Sequence, residues 1–304
     1  MAGVITTGNH PKALWPGIKA WWGRAYGEHA TEYTDLFTSD TSTQSYEEDV
    51  GLTGFGLATI KPQGSALTYD TESQGFVQRY SHVTYGLGYI VSMEEMQDNL
   101  YSVVSKRRSR ANAFSMRQTK ELVGANVYNR AVNSSYTGGD GVVLLSASHP
   151  TKSGNQSNIL GTAADLSQSS IEDLCIQIMG AVNERNLKIN LIPQSLHVHR
   201  NDWFLASKIY DTTKGEAFTG DNTLNVLNAQ NIFPKGVKMN HYFTDTDAWF
   251  VRTNCPDGMK HYQRMAIEFG QDNDFDTKNA KAAAIERYVF GWTDWRGVYG
   301  SEGA

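Results

Sequence analysis

The chain has 304 residues, of which 40% are hydrophobic and 19% charged, a composition typical of a folded globular protein. A formal net charge of −5 excludes a general attraction to nucleic acid, and no apolar run reaches the roughly 20 residues that span a bilayer. Cys175 and Cys255 lie far apart without C-x-x-C spacing, which excludes a disulfide scaffold. The N-terminus lacks a basic start and an apolar core, so we expect a protein that is made in, and stays in, a cytoplasm.

The first fifty residues carry little that could form a core of their own. Trp15-Pro16-Gly17 is typical of a turn, and residues 18–36 are predicted to form a helix or an extended arm rich in aromatic residues, including Trp21 and Trp22. These aromatic residues need a surface that buries them. Two alternatives stay open at this point: they pack on the core of their own chain, or they pack on a neighbouring chain.

Residues 51–91 combine recurring glycines with residues that favour strands. The stretch 74–85 alternates loosely between apolar and polar residues, so we predict two long strands that form a hairpin without a compact core. Such a hairpin is marginal alone in water, which indicates a projection that becomes ordered against something else. The glycine-rich string at 51–56 opens no predicted helix and is therefore not a nucleotide-binding motif.

A single long helix is predicted over residues 92–133. Ser92 and Glu95 have the spacing of a capping box, and apolar residues then recur at steps of three and four without a proline. About forty residues would make a rod of roughly 60 Å. The alternative is a kinked pair of helices with Gly124 as the weak point.

The remainder of the chain predicts a mixed α+β unit. We predict a helix that begins at Ser169 or Ser170 and ends near 186, and a second helix that is capped by Asp202. The predicted strands are 142–145, 187–192, 196–198, 237–242, 248–251, 261–269 and 280–292. The strand predicted over 280–292 is in conflict with its first residues, 280–286, which favour a helix.

Three groups of potential metal ligands fail on spacing. His197 and His199 share one strand face but lack a third ligand, and zinc requires three or four. Asp272, Asp274 and Asp276 resemble the start of a calcium loop, whose later glycine and glutamate are replaced by Thr277 and Ala283. The pair Asp245 and Asp247 directly precedes a predicted strand and is typical of a turn.

The sequence contains no catalytic motif of the common hydrolase, kinase or nucleotide-binding classes, and it predicts no metal and no cofactor. Its one basic cluster is Lys106-Arg107-Arg108 with Arg110. This cluster could contact phosphates, form a solvated face, or pair with neighbouring acidic residues. The absence of a catalytic constellation favours a structural protein over an enzyme.

The order of these parts resembles the major capsid proteins of tailed bacteriophages with the HK97-like fold. The resemblance covers nearly the whole chain and is densest over residues 140–300. Within these proteins, the chain resembles the branch that includes the Mu-type major head subunit and its prophage relatives. The strings that carry it are LLSASHP at 144–150, AADL at 163–166, NLKINLIP at 186–193, NHYFTDTDAWF at 240–250, NCPDGMKH at 254–261 and ERYVFGWTDWRGVYG at 286–300.

This resemblance implies an α+β fold with four parts. These are an N-arm (1–47), an E-loop hairpin (48–91), an A-domain (163–261), and a P-domain formed by 92–162, with its spine helix at 92–133, and by the C-terminal strands of 262–304. His199-Arg200 stands where the family usually has a second proline-marked turn. Lys61 lies in the segment where some relatives form a covalent cross-link, but no matching motif extends that chemistry to this chain.

The implied function is that of a head protein rather than an enzyme. Subunits would self-assemble into the hexamers and pentamers of an icosahedral virion shell in the bacterial host cytoplasm, and would enclose double-stranded DNA without sequence-specific binding. A separate scaffolding protein, a portal and a decoration protein are the expected partners, and no membrane is involved. The alternatives are an encapsulin-like nanocompartment, a metal-dependent hydrolase that uses the His or Asp pairs, and a tail or baseplate protein.

Aromatic residues and arginine are the types that most often anchor interfaces. We therefore predict contacts between subunits in the arm, in the hairpin and near the C-terminus. The alternative for the C-terminal set is packing under the long helix of the same chain. The predicted contact residues are Trp21, Trp22, Phe55, Tyr69, Phe76, Tyr80, Trp292, Trp295, Arg296 and Tyr299.

Overall fold

The structure is a computed structural model that describes residues 15–97, 101–212, 224–274 and 279–304. Its N-terminal arm consists of α1 (Trp15–Glu28), α2 (Tyr33–Leu36) and the short strand β1 (Thr38–Thr41). The predicted turn at Trp15-Pro16-Gly17 is wrong, because these residues form the first turn of α1, where a proline is tolerated. None of the described helices is long and apolar enough to cross a membrane.

The predicted hairpin is present but shorter than expected. Strand β2 (Tyr46–Leu52) pairs antiparallel with β3 (Gln74–Ser81), and the chain between them forms the hairpin tip (residues 53–73). The strand predicted over 74–85 is interrupted at His82, which is buried and lies 3.0 Å from the Ser42 hydroxyl through Nε2. Beyond this point β4 (Val83–Val91) leaves the hairpin and pairs with β11 (Ala280–Trp292) in the main sheet.

The long helical element comprises α3 (Met93–Gln97) and α4 (Tyr101–Asn129); the predicted span 98–100 lies outside the described residues. Ser92 Oγ accepts a hydrogen bond from the Glu95 backbone N–H at 3.3 Å, as the predicted cap requires. Helix α4 continues through Gly124 without a boundary. A Cβ at Gly124 would lie 3.3 Å from the Tyr33 side chain, so this glycine permits close packing of the arm and does not divide the helix.

The helix packs on a four-stranded sheet of order β1-β10-β11-β4. Strands β10 (Met259–Asn273) and β11 (Ala280–Trp292) are long and antiparallel, and β11 is paired on both sides. Strand pairing and burial therefore override the helix propensity of the alanine-rich start of β11. Arm residues complete the core here, because Trp22 and Ala25 pack with Met116 and Phe269.

A second four-stranded sheet, of order β12-β9-β7-β8, forms the other half of the molecule. Its strands are β7 (Pro193–His199), β8 (Val237–Asn240), β9 (Trp249–Thr253) and β12 (Val298–Ser301), and its helices are α5 (Gln168–Met179), α6 (Trp203–Asp211) and α7 (Val226–Ala229). Because β12 pairs with β9, the last strand of the chain lies in this sheet and not beside β10 and β11. Helix α5 begins after Ser167, which forms the capping box with Ser170.

Two predicted strands, 142–145 and 187–192, are wrong, since each contributes only an isolated bridge. Leu144 is fully buried, but its carbonyl accepts from the Asn158 side chain at 2.6 Å, and Asn158 Oδ1 accepts from the Ser146 N–H at 2.8 Å. A side-chain amide thus replaces the neighbouring strand that the apolar run suggested. The polar loop predicted after it forms a small hairpin of β5 (His149–Thr151) and β6 (Gly154–Gln156).

Candidate assembly surface

The hairpin tip exposes large apolar side chains to solvent. Leu57 is 83% exposed, Ile60 is 95% exposed and Tyr69 is 89% exposed. A concentration of apolar surface in one projecting segment is unusual for a protein that stays monomeric and marks an interaction site. The other exposed apolar side chains of the hairpin are Tyr46, Val50, Leu52, Phe55, Leu67, Phe76 and Val77.

Hydrogen bonds within the tip keep it ordered although it has no core. Gly56 N–H donates to Asp70 Oδ2 at 2.8 Å, and Thr53 Oγ1 donates to the Ser73 carbonyl at 3.0 Å. The Gly56 and Thr71 N–H groups lower the pKa of the Asp70 carboxyl below its ordinary value. At the far end, the Ser65 N–H donates to the Pro62 carbonyl in a tight turn. The apolar side chains are therefore presented on a defined backbone.

Two basic side chains connect the tip to the rest of its own subunit. Arg185 donates to the Thr71 carbonyl and lies 3.7 Å from an Asp70 carboxylate oxygen. Lys152 Nζ donates to Ser73 Oγ at 3.1 Å. These contacts fix the base of the tip, while its apolar end is left exposed.

The root of the hairpin is held by a partly buried polar cluster centred on Asp49. Its carboxylate accepts from Lys260 Nζ at 2.6 Å, from Thr293 Oγ1 at 2.6 Å and from the Tyr262 hydroxyl at 3.3 Å. Tyr80, on the partner strand, lies 2.6 Å from Thr293 Oγ1 through its hydroxyl. Burial opposes ionisation of Asp49, but the bonds from Lys260 and Thr293 prevail and lower the pKa of this carboxyl. Both strands of the hairpin are thus attached to the end of the main sheet.

A cleft of about 640 Å³ lies beside this root. The hairpin forms one wall, with Val50 and Phe76, and Leu191 and Trp292 contribute apolar surface from the body of the subunit. Five carboxylates line the cleft against two basic residues, so its lining is acidic. The charged residues are Asp49, Asp140, Glu184, Asp257, Asp294, Lys260 and Arg296.

The structure separates the predicted contact residues of the hairpin and the arm into two groups. Phe55, Tyr69 and Phe76 are 58%, 89% and 44% exposed, and their role between subunits stays a prediction.

Trp22 is buried in its own chain, where it stacks on Phe269 and donates from Nε1 to Asn112 Oδ1 at 2.8 Å. Tyr80 is 1% exposed and packs against Tyr262. Trp21 is half-buried, with Lys106 Nζ 4.2 Å from its ring centroid. Trp22 and Tyr80 therefore lack the free side-chain surface that a contact needs.

The C-terminal set packs within its own chain, as the alternative expected, but in the core of the second sheet with Leu196 and Val251 and not under the long helix. Trp295 stacks on His149 with ring centroids 4.3 Å apart, and Tyr299 is 1% exposed. Arg296 is 5% exposed, and its guanidinium donates to Glu184 Oε1 at 3.1 Å. Only Trp292 keeps partial exposure, in the wall of the cleft.

The potential metal ligands are not assembled into a site. No group of three or more His, Cys, Asp or Glu side chains suited to a metal ion occurs in the described ranges. His197 is buried, which lowers its pKa to about 3, and its Nε2 lies 2.8 Å from Ser195 Oγ. Asp274 is paired with Lys281 at 2.6 Å, and Asp276 lies outside the described residues.

The contact residues predicted from the sequence did not include Leu57, Ile60 and Leu67, which the structure places on the exposed tip. A signal was available, since these apolar residues interrupt a segment rich in glycine and threonine without the alternation of a strand. That pattern indicates apolar side chains that no sheet of the same chain will cover.

Comparison with known proteins places this arrangement among phage capsids. A search of curated proteins finds no match, whereas the phage capsid protein family matches residues 76–301. The capsid of the Myoviridae phage XM1 is similar with a TM-score of 0.53 and 12% identity over 100% of both chains. The capsid of an empty GTA particle gives a TM-score of 0.56 and 10% identity over 91% of this chain and 92% of that one. A chain of Mycobacterium phage Che8 is similar with a TM-score of 0.51 and 12% identity, over 89% of this chain and 90% of that one.

The structural likenesses establish an α+β, HK97-like fold, as the sequence predicted. The family match covers about three quarters of the chain and identifies a self-associating structural shell protein of the virion rather than an enzyme. The chain belongs to the phage capsid protein family.

Proposed function

We propose that this subunit forms the hexamers and pentamers of a closed icosahedral head that encloses double-stranded DNA without reading its sequence. The observation that carries the proposal is the hairpin tip, with Leu57, Ile60 and Tyr69 largely exposed on an anchored projection. A closed lattice sums many weak contacts, so a modest apolar patch repeated in every copy is sufficient to drive assembly.

The cleft beside the hairpin root is the acceptor that best suits the tip of a neighbouring copy. Lys61 is the only charged residue in the far part of the tip, residues 53–69, whereas Asp70 and Glu72 lie at its base, where Arg185 is 3.7 Å from Asp70. The cleft combines an acidic lining with apolar walls at Leu191 and Trp292. Opposite charge would orient the tip, and burial of Ile60 and its neighbours would supply the affinity.

Assembly in the cytoplasm of a bacterial host, with a scaffolding protein, a portal and a decoration protein, belongs to the same proposal. So does the Mu-type branch, which is supported by the sequence strings given above. The division into N-arm, E-loop, P-domain and A-domain is supported by the two separate sheets and by the projecting hairpin.

A loop replacement tests the proposal directly. Residues 53–73 are exchanged for a short Gly/Ser turn that closes β2 onto β3, which leaves Asp49 and Tyr80 in place. The shortened subunit should keep the unfolding transition of the full chain but form no shells by electron microscopy and light scattering. Shells of normal diameter from the shortened chain would contradict the role given to the tip.

A further inference from the structure

The flank of the paired helices α1 and α4 carries a compact basic surface. On α1, the exposed Arg24 follows Trp21 by three residues and lies on the same side of the helix. On α4, Lys106 covers the Trp21 ring, with its Nζ 4.2 Å from the ring centroid. Arg107 and Arg110 lie one helical turn apart on α4 and are exposed. We call Arg24, Lys106, Arg107 and Arg110 the basic flank.

The partners within the chain leave most of this charge uncompensated. Arg110 approaches Glu28 at 3.9 Å, with both side chains at least half exposed, which is a weak pair. Arg108, the remaining member of the cluster seen in the sequence, is bound by both carboxylate oxygens of Glu95 at 2.7 and 2.9 Å. It therefore lies outside the basic flank. Within the described part of the chain, these four positive charges therefore have one nearby negative partner, Glu28.

The negative net charge of the whole chain does not cancel this local field. At physiological ionic strength, exposed charges separated by more than about 8 Å are largely screened from each other. A ligand that touches the flank experiences the four nearby cations, while acidic residues elsewhere contribute little. The net charge of −5 therefore excludes general attraction to DNA but permits one local phosphate-binding surface.

The chemistry of the flank favours phosphate over a protein ligand. Three of its four cations are guanidinium groups, whose planar donors match phosphate oxygens in pairs. A protein interface normally has an apolar, aromatic centre. Among the described side chains of α4, the exposed large apolar residues are Phe114, whose ring is packed edge-on against His29, and Leu122, which lies more than three helical turns beyond Arg110.

We infer that the basic flank binds the phosphate backbone of double-stranded DNA and therefore faces the interior of the shell. The inference rests on the proposed function, because it takes the enclosed DNA as the ligand. It adds a defined phosphate contact, made by the side chains of the basic flank, to the enclosure of DNA.

The test measures binding of a fluorescent 20-base-pair duplex to the purified full-length subunit by anisotropy, between 50 and 200 mM NaCl. The variant Lys106→Ala/Arg107→Ala/Arg110→Ala should bind at least about tenfold more weakly at 50 mM. Its slope of log K against log salt should be smaller by about 3, the value for three lost phosphate contacts. A matched variant, Lys188→Ala/Lys208→Ala/Lys235→Ala, loses the same charge elsewhere and should bind like the original chain.

A third variant is the control for a folding defect. Lys106→Arg/Arg107→Lys/Arg110→Lys keeps every charge and should restore binding. Equal affinity and slope in the alanine variant and the original chain would overturn the inference, as would equal losses in the two alanine variants. Unchanged duplex binding with lost shell formation would also overturn it and would assign the flank to a protein contact. Shell formation is followed separately by light scattering, so failure of DNA binding is distinguishable from failure of the capsid proposal.

Discussion

Asp49 on the first hairpin strand and Lys260 on β10 form a 2.6 Å charge-assisted hydrogen bond that joins the projecting hairpin to the main sheet. Lys260 also lies 3.0 Å from Asp257, and the side chains of Lys260 and Asp49 are only 11% and 22% exposed. This bond attaches the root of the hairpin to the end of the main sheet.

Asp49→Asn should loosen the hairpin root without unfolding the subunit. Loss of the charge weakens the bonds from Lys260 and Thr293, and we expect a cost of about 1–3 kcal/mol in unfolding free energy. Hydrogen exchange should rise over residues 46–52 and 74–81. Glu48→Gln is the control, because Glu48 forms only an exposed pair with Arg79 at 3.5 Å and should change stability by less than about 1 kcal/mol. Unchanged exchange in the Asp49 variant would contradict the anchor.

The stability of the hairpin should depend on pH through the carboxylate of Asp49. Its pKa in the folded chain is lower than in the unfolded chain, so its stabilising contribution is complete above the unfolded value, about 3.9, and is lost as the pH falls through the folded value. Protease cleavage within the hairpin should therefore increase below about pH 4. Asp49→Asn should show fast cleavage at neutral pH and a smaller further increase in acid. A parallel rise in both proteins would assign the acid effect to other groups.

The buried pair Lys120–Glu286 is expected to be the most sensitive charged contact in the subunit. Lys120 Nζ lies 2.5 Å from Glu286 Oε1, and their side chains are 3% and 1% exposed. Lys120→Met leaves the carboxylate buried without its cation, which should cost about 3–5 kcal/mol of unfolding free energy in urea. The double variant Lys120→Met/Glu286→Leu should recover most of that loss. A double variant as unstable as the single one would show that packing, rather than charge, dominates here.

Trp22 should behave as a core residue of its own subunit. Trp22→Ala removes the stack on Phe269 and the bond to Asn112, and we expect a loss of about 3–5 kcal/mol in the isolated subunit. Trp21→Ala, at a half-buried position, should cost clearly less. Equal stability of the Trp22 variant and the original chain, measured by denaturation of the unassembled subunit, would refute this assignment.

Ile60→Asp should separate assembly from folding. Ile60 is 95% exposed, so the unfolding midpoint of the subunit should stay unchanged, while burial of a charge against a neighbour should prevent shell formation. Gln63→Lys adds a charge to the same tip without removing apolar surface and should assemble, because the lining of the proposed acceptor cleft is acidic. Failure of both variants would indicate an effect of charge alone.

Sequence patterns predicted the elements whose cause is local. The cap at Ser92, the spine helix and the paired strands β10 and β11 follow from spacing and alternation in the printed sequence. Interactions that join distant segments escaped prediction. The partner of Trp22 is 90 residues away, and Asn158 satisfies the backbone at Leu144 from a separate loop.

The sequence did not predict which aromatic residues are buried, because their burial also depends on contacts between distant segments. A count of tryptophan and tyrosine in the arm, the hairpin and the C-terminus does not distinguish a core from an interface. Tyr80 packs on Tyr262 and Trp295 stacks on His149, and each of these pairs forms only in the completed fold. Tyr69 is also aromatic, but it contacts no other ring among the described residues and is 89% exposed.

Electron cryomicroscopy of particles formed by the full chain tests the central claim most directly. The account predicts closed icosahedral shells in which Ile60 and Tyr69 of each hairpin tip are covered by a neighbouring copy. Particles in which those side chains stay solvent-exposed, or open tubes and rings without closed shells, would contradict it.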